Sequence, residues 1–174
     1  MVIGDPLDEA TDIGTIVSPN QFERVQYYLG LAQASPEATL HRCGQLPTDD
    51  RFRDGLFVQP AIITGLTNEH RVCKEEIFGP VTAILVFDTL EEALEIANDT
   101  EYGLAASIWT QNLQAAMRGV HELEAGFVQV NQNLVVQPML PYGGYKTSGI
   151  GKEASLDSML EHFTHRKTVL INLK

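Results

Sequence analysis

The residues best placed to do chemistry lie between Lys74 and Val81, which reads KEEIFGPV and runs into the apolar segment Thr82 to Phe87. Two adjacent carboxylates, one aromatic and a Gly-Pro break stand beside a strand start, a place where loops often carry binding groups. A carboxylate accepts hydrogen bonds from two neighbouring hydroxyls at once, while a phenyl ring beside it covers the face of a flat heterocycle. Glu76 and Phe78 are therefore the pair expected to hold a flat, polyhydroxylated ligand. The competing reading leaves Glu75 and Glu76 as solvated charges and Phe78 as core. Taken alone, these residues favour the competing reading.

Other candidate clusters are weaker. PYGGYKTSGIGKE (Pro141 to Glu153) suggests a phosphate cradle, but a P-loop needs Lys directly after the second glycine of GxxxxG, and Gly149 is followed by Ile150. Gly149, Gly151 and Ala154 fit a loose GxGxxA pattern, yet no strand precedes them and no ribose-binding acid follows at the right distance. Gly143 and Gly144 read either as a tight turn or as a wall of a pocket shared with Tyr142 and Tyr145. Cys43 has Arg42 and His41 beside it, but strand neighbours point to opposite faces, so neither activates its sulfur. Cys73 lies on the run into KEEIFGPV, and both thiols read as structural. The pair His162 and His165 has no third ligand in reach, Asp49 with Asp50 reads as solvated charge, and Ser148 lacks a nucleophile elbow. No metal site is expected.

The positioning elements follow from periodicity. Ser18, Pro19 and Gln21 make a helix start with a capping box, Phe22, Val25, Leu29 and Ala32 share one face, and Pro36 stops the helix. Strands are expected over Ala38–Cys43, Phe57–Ile63, Val81–Phe87, Leu104–Thr110, Phe127–Asn131 and Thr168–Leu173. The unbroken apolar run Val81 to Phe87 predicts a parallel strand in a sheet interior. One or two helical turns over Thr67–Glu75 lead into the motif. Thr89 and Glu92 predict a second capping box, with helical stripes at Leu90, Ala93, Leu94 and Ala97, at Leu113, Ala116, Met117 and Val120, and at Leu156, Met159, Leu160 and Phe163. Alternating strands and helices point to an α/β protein with an open, mostly parallel sheet and helices on both faces.

The chain has 174 residues, 44% of them hydrophobic, with a formal charge of −11. Such a length suits one domain, and the negative charge disfavours nucleic acid or an anionic membrane as partner. Met1 to Pro6 has no leader character and no segment reaches membrane-spanning length, so a soluble cytoplasmic protein with two reduced cysteines is expected.

KEEIFGPV also resembles a signature of the NAD(P)-dependent aldehyde dehydrogenase superfamily. GLFVQP (Gly55 to Pro60), YGLAASIWT (Tyr102 to Thr110), and VNQ followed by LPYGGYKTSGIGKE (Val130 to Glu153) agree with it in the same order. The resemblance implies that Glu76 holds the nicotinamide ribose hydroxyls of NAD or NADP and that Phe78 lies against the nicotinamide end. It implies that Tyr142, where most relatives have Phe, lines the substrate tunnel, and that Asn131 lies near the reacting centre. In this family a segment like GDPLDEATDIGTIVS (Gly4 to Ser18) follows shortly after the catalytic cysteine. Residues 1–166 then correspond to part of a catalytic domain and residues 167–174 to a strand that joins a neighbouring subunit.

The implied reaction converts aldehyde, NAD(P)+ and water to carboxylate and NAD(P)H through a cysteine thioester. The family's Gln-Gly-Gln-x-Cys-like stretch is not in this sequence. The expectation is accordingly a C-terminal fragment with no catalytic residue of its own and weak or no cofactor binding. Its expected partners are an aldehyde, the missing N-terminal half and further copies of itself. A non-catalytic interaction module that kept the fold is the alternative.

Overall fold

Helix α1 (Pro19–Ala34) is the longest element and the one on which the first half of the chain packs. The Ser18 hydroxyl accepts the Gln21 N–H at 3.3 Å, and proline occupies the first turn, where its missing N–H costs nothing. Val25, Tyr28, Leu29 and Ala32 are buried along one face. The expected capping box is only half formed, because the Gln21 carboxamide is used elsewhere.

The structure, a computed structural model, describes residues 1–133, 135 and 137–173. Leu134 and Val136, within the expected long connection 131–141, and Lys174, within the expected terminal strand, lie outside the described residues. The chain divides into two units, Met1–Val86 and Phe87–Lys174.

In the first unit, β1 (Thr39–Arg42) pairs antiparallel with β2 (Ala61–Thr64), and after the short helix α2 (Arg71–Lys74), β3 (Val81–Ala83) joins β2 in parallel. The core joins the buried face of α1 to Val58, Ala61, Ile63, Leu66, Val72 and Ile77. Phe57 to Pro60 lies outside the ladder that sequence extended to it. The interior strand expected over Val81–Phe87 is also shorter. β3 ends at Ala83, and Ile84 adds one further hydrogen bond to Ile63. Within its unit β3 pairs only with β2, so the run passes beyond its last ladder partner and Val86 stands 85% exposed.

In the second unit, α3 (Leu90–Asn98) leads to β4 (Tyr102–Gly103) and β5 (Ala105–Ile108), and α4 (Leu113–Glu122) leads to β6 (Phe127–Val130), which pairs with β5 in parallel. Thr89 caps α3, while the Glu92 carboxylate reaches back to the Asp88 N–H rather than closing the box on Thr89. Arg118 of α4 bonds both Glu91 of α3 and Glu122 of its own helix, tying the two helices together. Gly119 lets α4 approach β5, since a β-carbon there would lie 2.5 Å from Ile108 Cδ1. β7 (Tyr145–Lys146) pairs antiparallel with β4, and α5 (Leu156–Phe163) starts at a Ser155–Ser158 capping box.

The α/β class expected from sequence is what the structure has, with parallel pairs at β2–β3 and β5–β6 and antiparallel ones at β1–β2 and β4–β7. The apolar stripe of α5 is present, but Leu156, Met159, Leu160 and Phe163 are exposed. Thr168–Leu173 forms no ladder with the described residues, and Val169, Leu170, Ile171 and Leu173 are exposed.

One contact fixes how α1 meets the segment before β3. A β-carbon on Gly79 would lie 2.4 Å from Val25 Cγ2, and Val25 is fully buried. Gly79→Ala should therefore cost about 1–3 kcal/mol through overpacking. Urea denaturation followed at the amides of Val25 and Ile63 checks this, and an unchanged midpoint would contradict it.

Candidate functional site

The motif's two carboxylates have opposite fates. Glu75 is held by Arg71, four residues earlier, whose Nε and Nη2 donate to its two oxygens at 2.5 and 2.9 Å. The Tyr28 hydroxyl of α1 donates to the same carboxylate at 2.5 Å. Arg71 also donates to the Tyr27 hydroxyl at 2.7 Å and lies over its ring. These bonds stabilise the ionised acid, and the Arg71 guanidinium foremost, then Tyr28, pulls the Glu75 pKa down to about 2. The same bond to Glu75 raises the Tyr28 pKa. Glu75 is thus a structural anion.

Glu76 is exposed, and the hydrogen bonds of this residue run through its backbone instead. Arg24 of α1 donates to the Glu76 carbonyl from Nε at 3.2 Å and from Nη2 at 2.5 Å. Gln21 Nε2 donates to the next two carbonyls, those of Ile77 and Phe78, at 2.8 Å each. Three successive carbonyls outside any ladder therefore find their partners on one helix. Ile77 turns inward and is 8% exposed, whereas Phe78 turns outward and is 72% exposed, so it is not the core residue of the competing reading.

Phe78 also has φ 57, in the left-handed region that disfavours a bulky L-residue. Such backbone costs on the order of 1–3 kcal/mol and persists where the surroundings over-determine it. A strained, outward phenyl two positions from an outward carboxylate fits a ligand with a vicinal diol and a flat ring. It is a surface the hydrophobic effect alone would not build. Sequence reasoning gave Gln21 to a capping box and passed over Arg24 and Tyr28, although Gln21 and Arg24, three apart, lie on one side of the helix beside its buried face.

In the second unit, the Asn131 side chain is occupied. Its Oδ1 accepts the Thr110 N–H and its Nδ2 donates to the Thr110 carbonyl, both at 2.9 Å, extending the β5–β6 pairing by a side chain. Its own φ of 54 matches that role at the strand end. Tyr142 is half-buried, packs edge-on to Phe127 with ring centres 5.2 Å apart, and exchanges backbone hydrogen bonds with Glu153. With Glu153, Ala154, Met159, His162 and Phe163 it lines a cleft of about 570 Å³.

The glycine-rich loop behind Tyr142 winds around Lys152, whose Nζ donates to the carbonyls of Gly126 at 3.0 Å and Gly143 at 2.5 Å. A β-carbon on Gly126 would fall 1.8 Å from the Gly143 oxygen, so close backbone approach, not phosphate binding, accounts for the glycine here. Cys73 packs against the first unit's core, and burial raises its pKa, the opposite of an activated nucleophile. Cys43 is half-buried, with its sulfur 3.9 Å from the His41 carbonyl. No cluster of three metal-ligating side chains occurs among the described residues.

The depressed pKa of Glu75 gives a sign to acid stability. Its contribution is present above the ordinary carboxylate range and is lost as pH falls through that range toward about 2. Glu75→Gln should lower the melting temperature at neutral pH, with the difference from the unaltered chain shrinking as pH drops through this window. A difference that stays constant across it would show that Glu75 is not held as its geometry indicates.

The relatives of this geometry are plain. The sequence profile of the aldehyde dehydrogenase family matches residues 1–169. A betaine aldehyde dehydrogenase of Mesorhizobium japonicum is 43% identical over 157 residues, 90% of this chain and 32% of its own length. The human 4-trimethylaminobutyraldehyde dehydrogenase is 40% identical over 174 residues, 98% of this chain and 35% of its own. A crystal structure of the Staphylococcus aureus betaine aldehyde dehydrogenase in complex with NAD+ superposes with a TM-score of 0.85 at 34% identity, covering 92% of this chain and 32% of that one. The chain spans about a third of the length of the curated relatives it matches. With the Glu76–Phe78 motif inside the matched region, this chain belongs to the aldehyde dehydrogenase family.

Proposed function

We propose that these residues form the C-terminal portion of the catalytic domain of an NAD(P)-dependent aldehyde dehydrogenase, whose nucleophilic cysteine and water-activating glutamate lie on polypeptide outside them. The observation that carries this reading is the outward Glu76 carboxylate beside the outward, left-handed Phe78. Bound NAD or NADP would supply the hydride acceptor. Glu76 would accept hydrogen bonds from the hydroxyls of the nicotinamide ribose, and the Phe78 ring would lie against the nicotinamide end, limiting its rotation. The adenine half finds no counterpart in this pair, so the isolated chain holds the cofactor weakly.

Tyr142 serves as a wall of the substrate passage, and Asn131 shapes the strand end near it. Two relatives are named for aldehydes that carry a quaternary ammonium group. A cleft with Tyr142, Phe163 and Glu153 in its lining suits such a cation, through ring faces and a carboxylate. The terminal stretch Thr168–Leu173, with its exposed apolar side chains, is assigned to strand pairing with another copy, in the cytoplasm.

The purified 174-residue chain should form no NADH from betaine aldehyde and NAD+, since no thiol in it is activated for attack. Joined behind the preceding two-thirds of the Mesorhizobium relative, it should restore aldehyde-dependent NADH formation. Steady turnover by the chain alone would place a nucleophile within it. A soluble but inactive chimera would instead support a non-catalytic module.

A further inference from the structure

We propose that Arg24 is a positioning residue for the cofactor-facing pair: its guanidinium, steadied by Tyr28 and Glu75, sets the direction in which Glu76 and Phe78 point. The inference rests on the assignment of that pair to the nicotinamide end. Arg24 lies on a 16-residue helix beside the face that is locked in the core, so its base is rigid even though its own side chain is exposed. Two of its N–H groups meet one acceptor, the Glu76 carbonyl, and this fork fixes the plane of the peptide joining Glu76 to Ile77. Nη2 also reaches the Tyr28 hydroxyl at 3.3 Å, and the guanidinium lies 5.2 Å from the centre of the Tyr28 ring. Tyr28 in turn donates to Glu75. The residue before Glu76 is thereby anchored by its side chain and Glu76 itself by its carbonyl, which leaves the Glu76 side chain directed outward.

A lysine would not reproduce this, because an ammonium cannot present two parallel donors in one plane to one carbonyl. A merely structural arginine would affect the whole unit. A positioning one affects residues 76–78 first.

The test uses the chain labelled for NMR and titrated with nicotinamide mononucleotide, the half of the cofactor that the pair would face. Arg24→Met should weaken mononucleotide binding by about five- to tenfold, the scale of one ordinary hydrogen bond lost when Glu76 is misplaced, with Arg24→Lys in between. In a Glu76→Gln background the same change should cost clearly less, because part of what Arg24 does for the ligand runs through the Glu76 carboxylate. Without ligand, Arg24→Met should erase the coupling-constant signature of left-handed Phe78. It should also shift the carbonyl-carbon resonances of residues 76 to 78, whose oxygens are the groups held from α1, leaving the amides of Val25 and Ile63 protected.

Equal losses in both Glu76 backgrounds would overturn the inference. Where the mononucleotide binds too weakly to titrate, the ligand-free measurement decides, and an unaltered Phe78 signature with unaltered carbonyl resonances in Arg24→Met overturns it. A Glu76→Gln chain that binds like the unaltered one would overturn the assignment of the pair itself, and this inference with it. That outcome is distinct, since the loop of Arg24→Met would still have changed.

Discussion

The structure of the first unit depends on a backbone problem solved by side chains. Between the end of α2 and the start of β3 the chain turns outward, and the carbonyls of Glu76, Ile77 and Phe78 have no ladder to enter. Polar backbone groups must find partners, and here they find Gln21 and Arg24. α1 is thus used on two faces. Its apolar stripe builds the core with Ile63 and Val72, and the polar stripe beside it holds the loop that carries Glu76 and Phe78. Gly79 completes the arrangement by letting the loop lie directly on Val25.

This division explains how two adjacent glutamates differ. Glu75, paired with Arg71 and Tyr28, is an anion held for architecture. Glu76, bound through its carbonyl, leaves its carboxylate exposed. The second unit applies the same logic at Lys152, a cation satisfied by the carbonyls of Gly126 and Gly143, two positions with no room for a β-carbon. Around it, Tyr142 is set against Phe127 at the lip of its cleft, and Asn131 finishes the β5–β6 pair.

Much of this was legible in sequence where the cause is local. The cap at Ser18, the stripe Val25, Leu29 and Ala32, the strands at β1 and β6, and the structural character of Cys73 all follow from spacing or neighbouring residues. What failed was set by distant partners. Gln21 looked like half of a capping box because its true acceptors lie 56 and 57 residues away. The run Val81–Phe87 looked interior because apolar sequence does not say where pairing stops. Thr168–Leu173 reads as a strand, yet a strand needs a partner, and the described residues offer none. The left-handed Phe78 could not be read at all, because the partner of its carbonyl, Gln21, lies 57 residues away. The chemistry was legible only through the resemblance that KEEIFGPV begins, since two acids and a phenyl taken alone read as ordinary surface and core.

The account's central claim is that Glu76 orients the nicotinamide and does nothing for acylation of the nucleophile. In the chimera that restores the preceding two-thirds, Glu76→Gln keeps the shape and weakens the grip on the ribose, so the side-by-side rates of aldehyde-dependent NADH formation and of ester hydrolysis measure that claim directly. The account predicts a large fall in NADH formation with ester hydrolysis nearly retained, because only hydride transfer needs the nicotinamide in place. Equal loss of both activities, or loss of neither, would contradict it and return Glu76 to the surface charges.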